Sequence, residues 1–184
     1  MNKKKIGLIV GIILFVLLIA GASLLYKNLS GGYDSDHFAG VDNDDNKDVP
    51  NFVILDEEGN KITLAKFEGK PIVLNCWASW CGPCRMEMPD FNEVYNDYKD
   101  EVYFVMVNMT TSDNESVESA QSFVEESGFD FPVYYDVNGH IASRYSVYYL
   151  PSTFFIDAEG KLVNYATTML TKEALTEGIK LLLH

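Results

Sequence analysis

Asn75-Cys76-Trp77-Ala78-Ser79-Trp80-Cys81-Gly82-Pro83-Cys84-Arg85 is the stretch on which the fold turns. The apolar run Ile72 to Trp77 leads into it and reads as a fully buried strand. Behind it, Phe91, Val94, Tyr95 and Tyr98 recur at helical spacing. A Cys-x-x-Cys therefore sits where a strand hands over to a helix. A thiolate is the nucleophile of disulfide exchange, and an ordinary thiol is mostly protonated near neutral pH. The unpaired N–H groups and positive dipole end of a helix N-terminus favour the anion. The spacing predicts Cys81 at the helix start, open to a partner, and Cys84 one turn in and less exposed. Cys84 can then attack the mixed disulfide and release the partner. Pro83 suits the first turn, where its missing N–H is not needed.

A structural disulfide or half of a zinc site would use the same spacing. Zinc takes about four ligands. The pattern places Cys76, the third cysteine, inside the strand, and His37, His140 and His184 lack ligand spacing. The expectation is no metal, and no cofactor beyond the redox-active Cys81–Cys84 pair.

Trp80-Cys81-Gly82-Pro83-Cys84 resembles the thioredoxin active site. The longer run from Gly69-Lys70-Pro71-Ile72-Val73-Leu74-Asn75 to Glu87-Met88-Pro89 is similar to the TlpA/ResA-type membrane-anchored thiol–disulfide oxidoreductases. The resemblance covers roughly residues 49 to 183.

The N-terminal side reads as appendages. Residues 1–5 are short and basic, and Ile6 to Tyr26 carries no charge over 21 residues, enough to span a hydrocarbon core of about 30 Å. Lys3, Lys4 and Lys5 place the N-terminus in the cytoplasm and the rest outside. The expectation is a single-pass anchor over 6–26 in the cell membrane, with an extracytoplasmic domain. Ala20-Gly21-Ala22 also resembles a signal-peptide cleavage site. Residues 27–48, with six Asp and three Gly, read as a disordered acidic linker. The domain over 49–184 is acidic: from residue 50 on it holds 9 Lys and Arg against 21 Asp and Glu. That balance excludes nucleic acid and anionic headgroups as natural partners.

Within the domain, Phe52 to Leu55 and Lys61 to Leu64 flank Glu58-Gly59-Asn60 and predict a β-hairpin. Strands are expected at Val102 to Val107, Phe131 to Tyr135, Thr153 to Ile156 and Leu162 to Ala166. Helices are expected around Val117 to Val124, closed by Gly128, at His140 to Tyr145, and after an N-cap at Thr171. Pro89 predicts a tolerated kink in the helix after Cys84. The sum is an α/β fold with a mixed sheet flanked by helices. It agrees with the thioredoxin fold that the resemblance implies, carrying an N-terminal hairpin and a central insertion.

The resemblance also assigns roles. Cys81 is the nucleophile and Cys84 the resolving thiol. Trp80, Gly82 and Pro83 shape the site. Leu150-Pro151-Ser152-Thr153 resembles the superfamily's cis-proline loop, with Pro151 beside the cysteine pair and the backbone of Leu150 available to an extended substrate. Thioredoxin carries a buried Asp where this chain has Asn75. The ResA type carries a functional Glu three residues after the second cysteine, here Glu87, which would take the proton of Cys84. The plainer alternative is an exposed glutamate near Arg85. Cys76 reads as a small buried hydrophobe, with exchange of disulfide partners as the sharper alternative.

The implied activity is reduction of protein disulfides, with electrons from a membrane thiol carrier of the CcdA/DsbD type. Potentials in this superfamily span roughly −270 to −120 mV, and Gly82-Pro83 matches the reducing end. Candidate clients are apocytochrome c Cys-x-x-Cys-His segments, a spore-coat or envelope protein, or an extracellular methionine sulfoxide reductase. A disulfide-forming oxidase would use the same residues. A thiol peroxidase would share the fold, and a non-catalytic envelope module would not need the cysteines.

Overall fold

The structure is a computed structural model that describes Phe15, Leu18, Ile19, Gly21 and residues 48–111 and 114–184. The chain divides into two units, Met1–Asp36 and His37–His184. Among the described residues no helix is long and apolar enough to cross a membrane. The expected anchor over 6–26 lies, but for those four residues, outside them, as does the linker before Asp48.

Seven strands form one mixed sheet. They are β1 (Val53–Leu55), β2 (Lys61–Thr63), β3 (Ile72–Trp77), β4 (Tyr103–Asn108), β5 (Val133–Tyr135), β6 (Ser152–Ile156) and β7 (Leu162–Ala166), in the spatial order β2-β1-β5-β4-β3-β6-β7. β3, β4 and β5 run parallel, whereas β6 pairs with β3 antiparallel, Asn75 facing Thr153 and Cys76 facing Ser152. The helices are α1 (Gly82–Tyr98), α2 (Val117–Ser127), α3 (His140–Arg144) and α4 (Lys172–Leu182). This is the α/β architecture expected from the sequence.

Strand alternation sorts β3 into two cores. Val73 and Trp77 pack with Cys84, Met88 and Phe91 of α1, Ala120 of α2 and Leu175 and Ile179 of α4. Leu74 and Cys76 face the other way, among Phe52, Val105, Val107, Ile141 and Phe154. Three cysteines within nine residues are thereby divided between opposite faces of the sheet. Cys76 is fully buried and free, and burial pushes its thiol pKa up. It is the buried hydrophobe of the plainer reading, and its position across the sheet leaves no room for partner exchange in the folded state.

Several boundaries move for local reasons. Leu64 leaves the hairpin for a single 3-10 turn, Leu64–Phe67. The N–H of Val102 closes the end of α1 by donating to Tyr98 O, so β4 starts at Tyr103. Pro132 has no N–H for a ladder, and β5 begins after it. Gly128 takes a left-handed φ of 68° and stops α2 as expected. Thr171 caps α4 by accepting from Ala174 N at 3.3 Å.

Candidate active site

The last residue of β3 sets the site's edge. Met109 N donates to Trp77 O at 2.9 Å, extending the β3–β4 pairing past the strands. The chain then turns through Ala78-Ser79-Trp80, with Cys81 N donating to Ala78 O at 3.1 Å. Cys81 is the N-cap of α1, where its sulfur accepts from Cys84 N at 3.2 Å, and Pro83 stands in the first turn. Cys81 and Cys84 form a disulfide with an S–S distance of 2.05 Å.

The expectation that Cys81 would be the open sulfur needs a correction. Cys81 is 4% exposed and Cys84 0%, so both are shielded in the disulfide form. What separates them is the cleft. A depression of about 480 Å³ is lined by Trp80, Cys81, Gly82 and Pro83 on one side and Val147, Tyr148, Tyr149 and Leu150 on the other. Cys81 lines it and Cys84 does not. The Leu150–Pro151 bond is cis. Tyr148 and Tyr149, 82% and 72% exposed, went unnoticed in the sequence, although two adjacent aromatics directly ahead of the proline loop were a usable signal.

Glu87 sits one turn beyond Cys84 on the same face of α1. It is buried, only 1% exposed, which removes the reading of a solvent-facing glutamate. Its Oε1 accepts from Asn75 Nδ2 at 2.9 Å and its Oε2 from Leu170 N at 2.9 Å. Burial pushes its pKa up to about 8, against the opposing pull of the Leu170 and Asn75 hydrogen bonds. Arg85 is turned elsewhere: Nη1 donates to Ser79 O at 3.3 Å and the guanidinium lies 4.8 Å from the Phe123 ring centre. The arrangement holds a disulfide at a helix start, with a carboxyl group whose pKa is raised to about 8 one turn further along the same helix.

Sequence reasoning does not single out Glu115, which lies just before the N-cap of α2. It is 8% exposed. Oε2 accepts from Ser79 N at 3.0 Å and Ser79 Oγ at 2.9 Å, and Oε1 from Asn108 Nδ2 at 3.0 Å. Nothing in the sequence distinguished it from the other acidic residues of the domain.

The sequence matches the AhpC/TSA family over residues 46–165. The thiol-disulfide oxidoreductase ResA of Bacillus thuringiensis is 41% identical over 135 residues, covering 73% of this chain and 76% of that one. ResA of Bacillus subtilis is 33% identical over 183 residues, covering 99% and 96%. Among solved structures, a putative thiol:disulfide interchange protein DsbE from Chlorobium tepidum superposes with a TM-score of 0.68 at 29% identity, covering 76% of this chain and 98% of that one. StoA from Bacillus subtilis gives 0.62 at 27%, covering 71% and 96%. With a Cys81–Cys84 disulfide at the head of α1, a matching fold and relatives of this kind along its length, the chain belongs to the AhpC/TSA family and to the ResA thiol–disulfide oxidoreductases.

Proposed function

We propose that this protein is a membrane-anchored, extracytoplasmic reductase of polypeptide disulfides. The observation that carries the reaction is the division of labour on α1: Cys81 lines the cleft, while Cys84 is enclosed with Glu87 one turn on. In the dithiol form the Cys81 thiolate attacks one sulfur of a client disulfide. A Cys81–client bond forms, the client S–S bond breaks, and the other client sulfur leaves as a thiolate. Cys84 then gives its proton to Glu87 and attacks Cys81 Sγ. The Cys81–Cys84 bond forms and the second client sulfur departs. The client gains two electrons and two protons, and the pair becomes the disulfide seen here.

Glu87 suits the proton step. Its carboxyl pKa, raised to about 8, is a closer match to a thiol proton than that of an ordinary carboxylate at about 4.3. The exposed Tyr148 and Tyr149 and the half-buried Leu150 line the same cleft as Cys81 and offer an extended client segment an apolar wall and free backbone groups.

Anchoring is supported by the uncharged run Ile6 to Tyr26 behind Lys3, Lys4 and Lys5. A membrane thiol carrier of the CcdA/DsbD type would restore the dithiol. Apocytochrome c Cys-x-x-Cys-His segments and an extracellular methionine sulfoxide reductase remain the candidate clients. The direction of electron flow rests on the Gly82-Pro83 dipeptide. Equilibration of the pair against a glutathione or dithiothreitol couple tests it. A midpoint toward the thioredoxin value of about −270 mV is expected, and one near −120 mV would make the protein an oxidant of its clients.

A further inference from the structure

The turn that presents Cys81 is held at one residue. Ser79 gives its N–H and its hydroxyl to Glu115 Oε2, at 3.0 and 2.9 Å, and its carbonyl accepts from Arg85 Nη1 at 3.3 Å. Glu115 leads into α2, and Arg85, from the first turn of α1, rests its guanidinium on α2. Glu115 immediately precedes Ser116, the N-cap of that helix, and its other oxygen is tied down by Asn108 Nδ2 at 3.0 Å and Ser119 Oγ at 3.3 Å. The Arg85 guanidinium lies 4.8 Å from the ring centre of Phe123, two turns along α2. An anion and a cation thus meet the two ends of one peptide unit's residue, two positions before Cys81. Charged groups form the stronger hydrogen bonds, and Glu115 is buried enough to be little screened.

We propose that Glu115 and Arg85 are positioning residues for the Cys81 nucleophile, clamping Ser79 from both sides so that the Trp80-Cys81 turn faces the cleft. Neither touches a reacting sulfur; each acts through Ser79. The clamp makes the pose of Cys81 depend on α2, an element outside the Cys-x-x-Cys helix. This rests on the reading of Cys81 as the attacking thiol.

The test uses the full chain in a Cys84→Ser background, with insulin as the disulfide probe, and reads the rate at which a mixed disulfide forms. Glu115→Ala is expected to slow capture about tenfold. Glu115→Gln retains one acceptor oxygen and should recover part of that loss. Arg85→Ala should slow capture about threefold, and the double variant should be no slower than Glu115→Ala alone, because both act on one residue. Ser79→Ala removes only the hydroxyl bond and leaves the Glu115 contacts to Asn108 and Ser119 in place. It should also slow capture, and it carries the test if Glu115→Ala folds poorly. Asp157→Ala opens the β6–β7 turn, where Asp157 Oδ1 accepts from Glu159 N at 3.0 Å and Lys161 N at 2.8 Å, and leaves the clamp untouched. It should lower the melting temperature and leave the capture rate unchanged. Wild-type capture rates in Glu115→Ala and Ser79→Ala, or losses from Glu115→Ala and Arg85→Ala that simply add, would overturn the clamp. A Cys84→Ser parent that captures no insulin would instead overturn the assignment of Cys81, and the clamp with it.

Discussion

The Asn75 carboxamide donates to Glu87 Oε1 at 2.9 Å from the middle of β3. The same Nδ2 reaches Thr153 Oγ1 at 3.0 Å, and Asn75 Oδ1 is buried with no hydrogen-bond partner among the described residues. An amide that turns over can offer that oxygen to a protonated carboxyl, and the Thr153 hydroxyl can donate where it had accepted. Asn75 therefore suits Glu87 with or without its proton. Asn75→Asp would set two buried carboxyls against each other. They can share one proton at acid pH, but the second ionisation is opposed. We expect a loss of about 3 kcal/mol at pH 8 and less at pH 5, measured by denaturant unfolding. Adding Glu87→Gln restores a donor–acceptor pair and should recover at least half of the loss. Strictly additive effects in the double variant would contradict the pairing.

Glu87 also makes a stability prediction. Its pKa is raised in the fold from an ordinary 4.5 to about 8. Between those values the folded state holds a proton that the unfolded state has released. Stability from this group is therefore fully present below the ordinary value and is lost as pH rises toward 8, at no more than about 1.4 kcal/mol per pH unit. The oxidised protein should unfold more readily at pH 8 than at pH 5.5, and Glu87→Gln should flatten that slope. Glutamine can accept from Leu170 N and donate to a turned Asn75, so the variant should fold. Because Glu87 is buried, folding of the variant depends on that rearrangement. An unaltered slope in the variant would show that another group titrates.

In catalysis the same variant should reduce insulin several-fold more slowly above pH 7, since Cys84 loses its proton acceptor. The cysteine pKa values should fall, because a neutral amide no longer opposes the thiolate. Alkylation rates across a pH series report both. Coincident profiles for the wild type and Glu87→Gln would make water the acceptor.

The proposed order of attack follows the cleft, which Cys81 lines and Cys84 does not. Cys84→Ser should accumulate client adducts through Cys81, and Cys81→Ser should accumulate few, as counted on non-reducing gels. Equal trapping would mean that the enclosed sulfur reaches clients directly.

In the proposed function Tyr148 and Tyr149, exposed in the cleft lining, serve client binding and not the chemistry. Replacing both with Ser should raise KM for a protein disulfide about fivefold, with kcat and the reaction with a small disulfide little changed. A fall in kcat alone would place them in the chemical step.

How much of this the sequence disclosed follows the range of the interactions. The strand-to-helix placement of Cys81, the cap at Thr171 and the stop at Gly128 are settled by neighbours within a turn, and each is found where the pattern put it. The proline loop was legible because Leu150-Pro151-Ser152-Thr153 resembles a known element. Glu87 was legible in position but not in state, since its burial needs Leu170, 83 residues away, and Asn75 on another element. Glu115 was not legible at all: its partner Ser79 lies 36 residues back, and no periodicity marks a carboxylate that turns inward from a loop. The helix–strand boundaries that shifted did so at Val102 and Pro132, where one N–H is spent elsewhere or missing.

The division of the cysteines across the sheet has a practical consequence. A thiol that the folded protein seals away, on a chain whose other two cysteines are joined, is a chemical clock for global opening. In the oxidised protein, a bulky maleimide can reach Cys76 only when the sheet comes apart. The rate of that single modification would therefore time the unfolding of the whole domain without a denaturant.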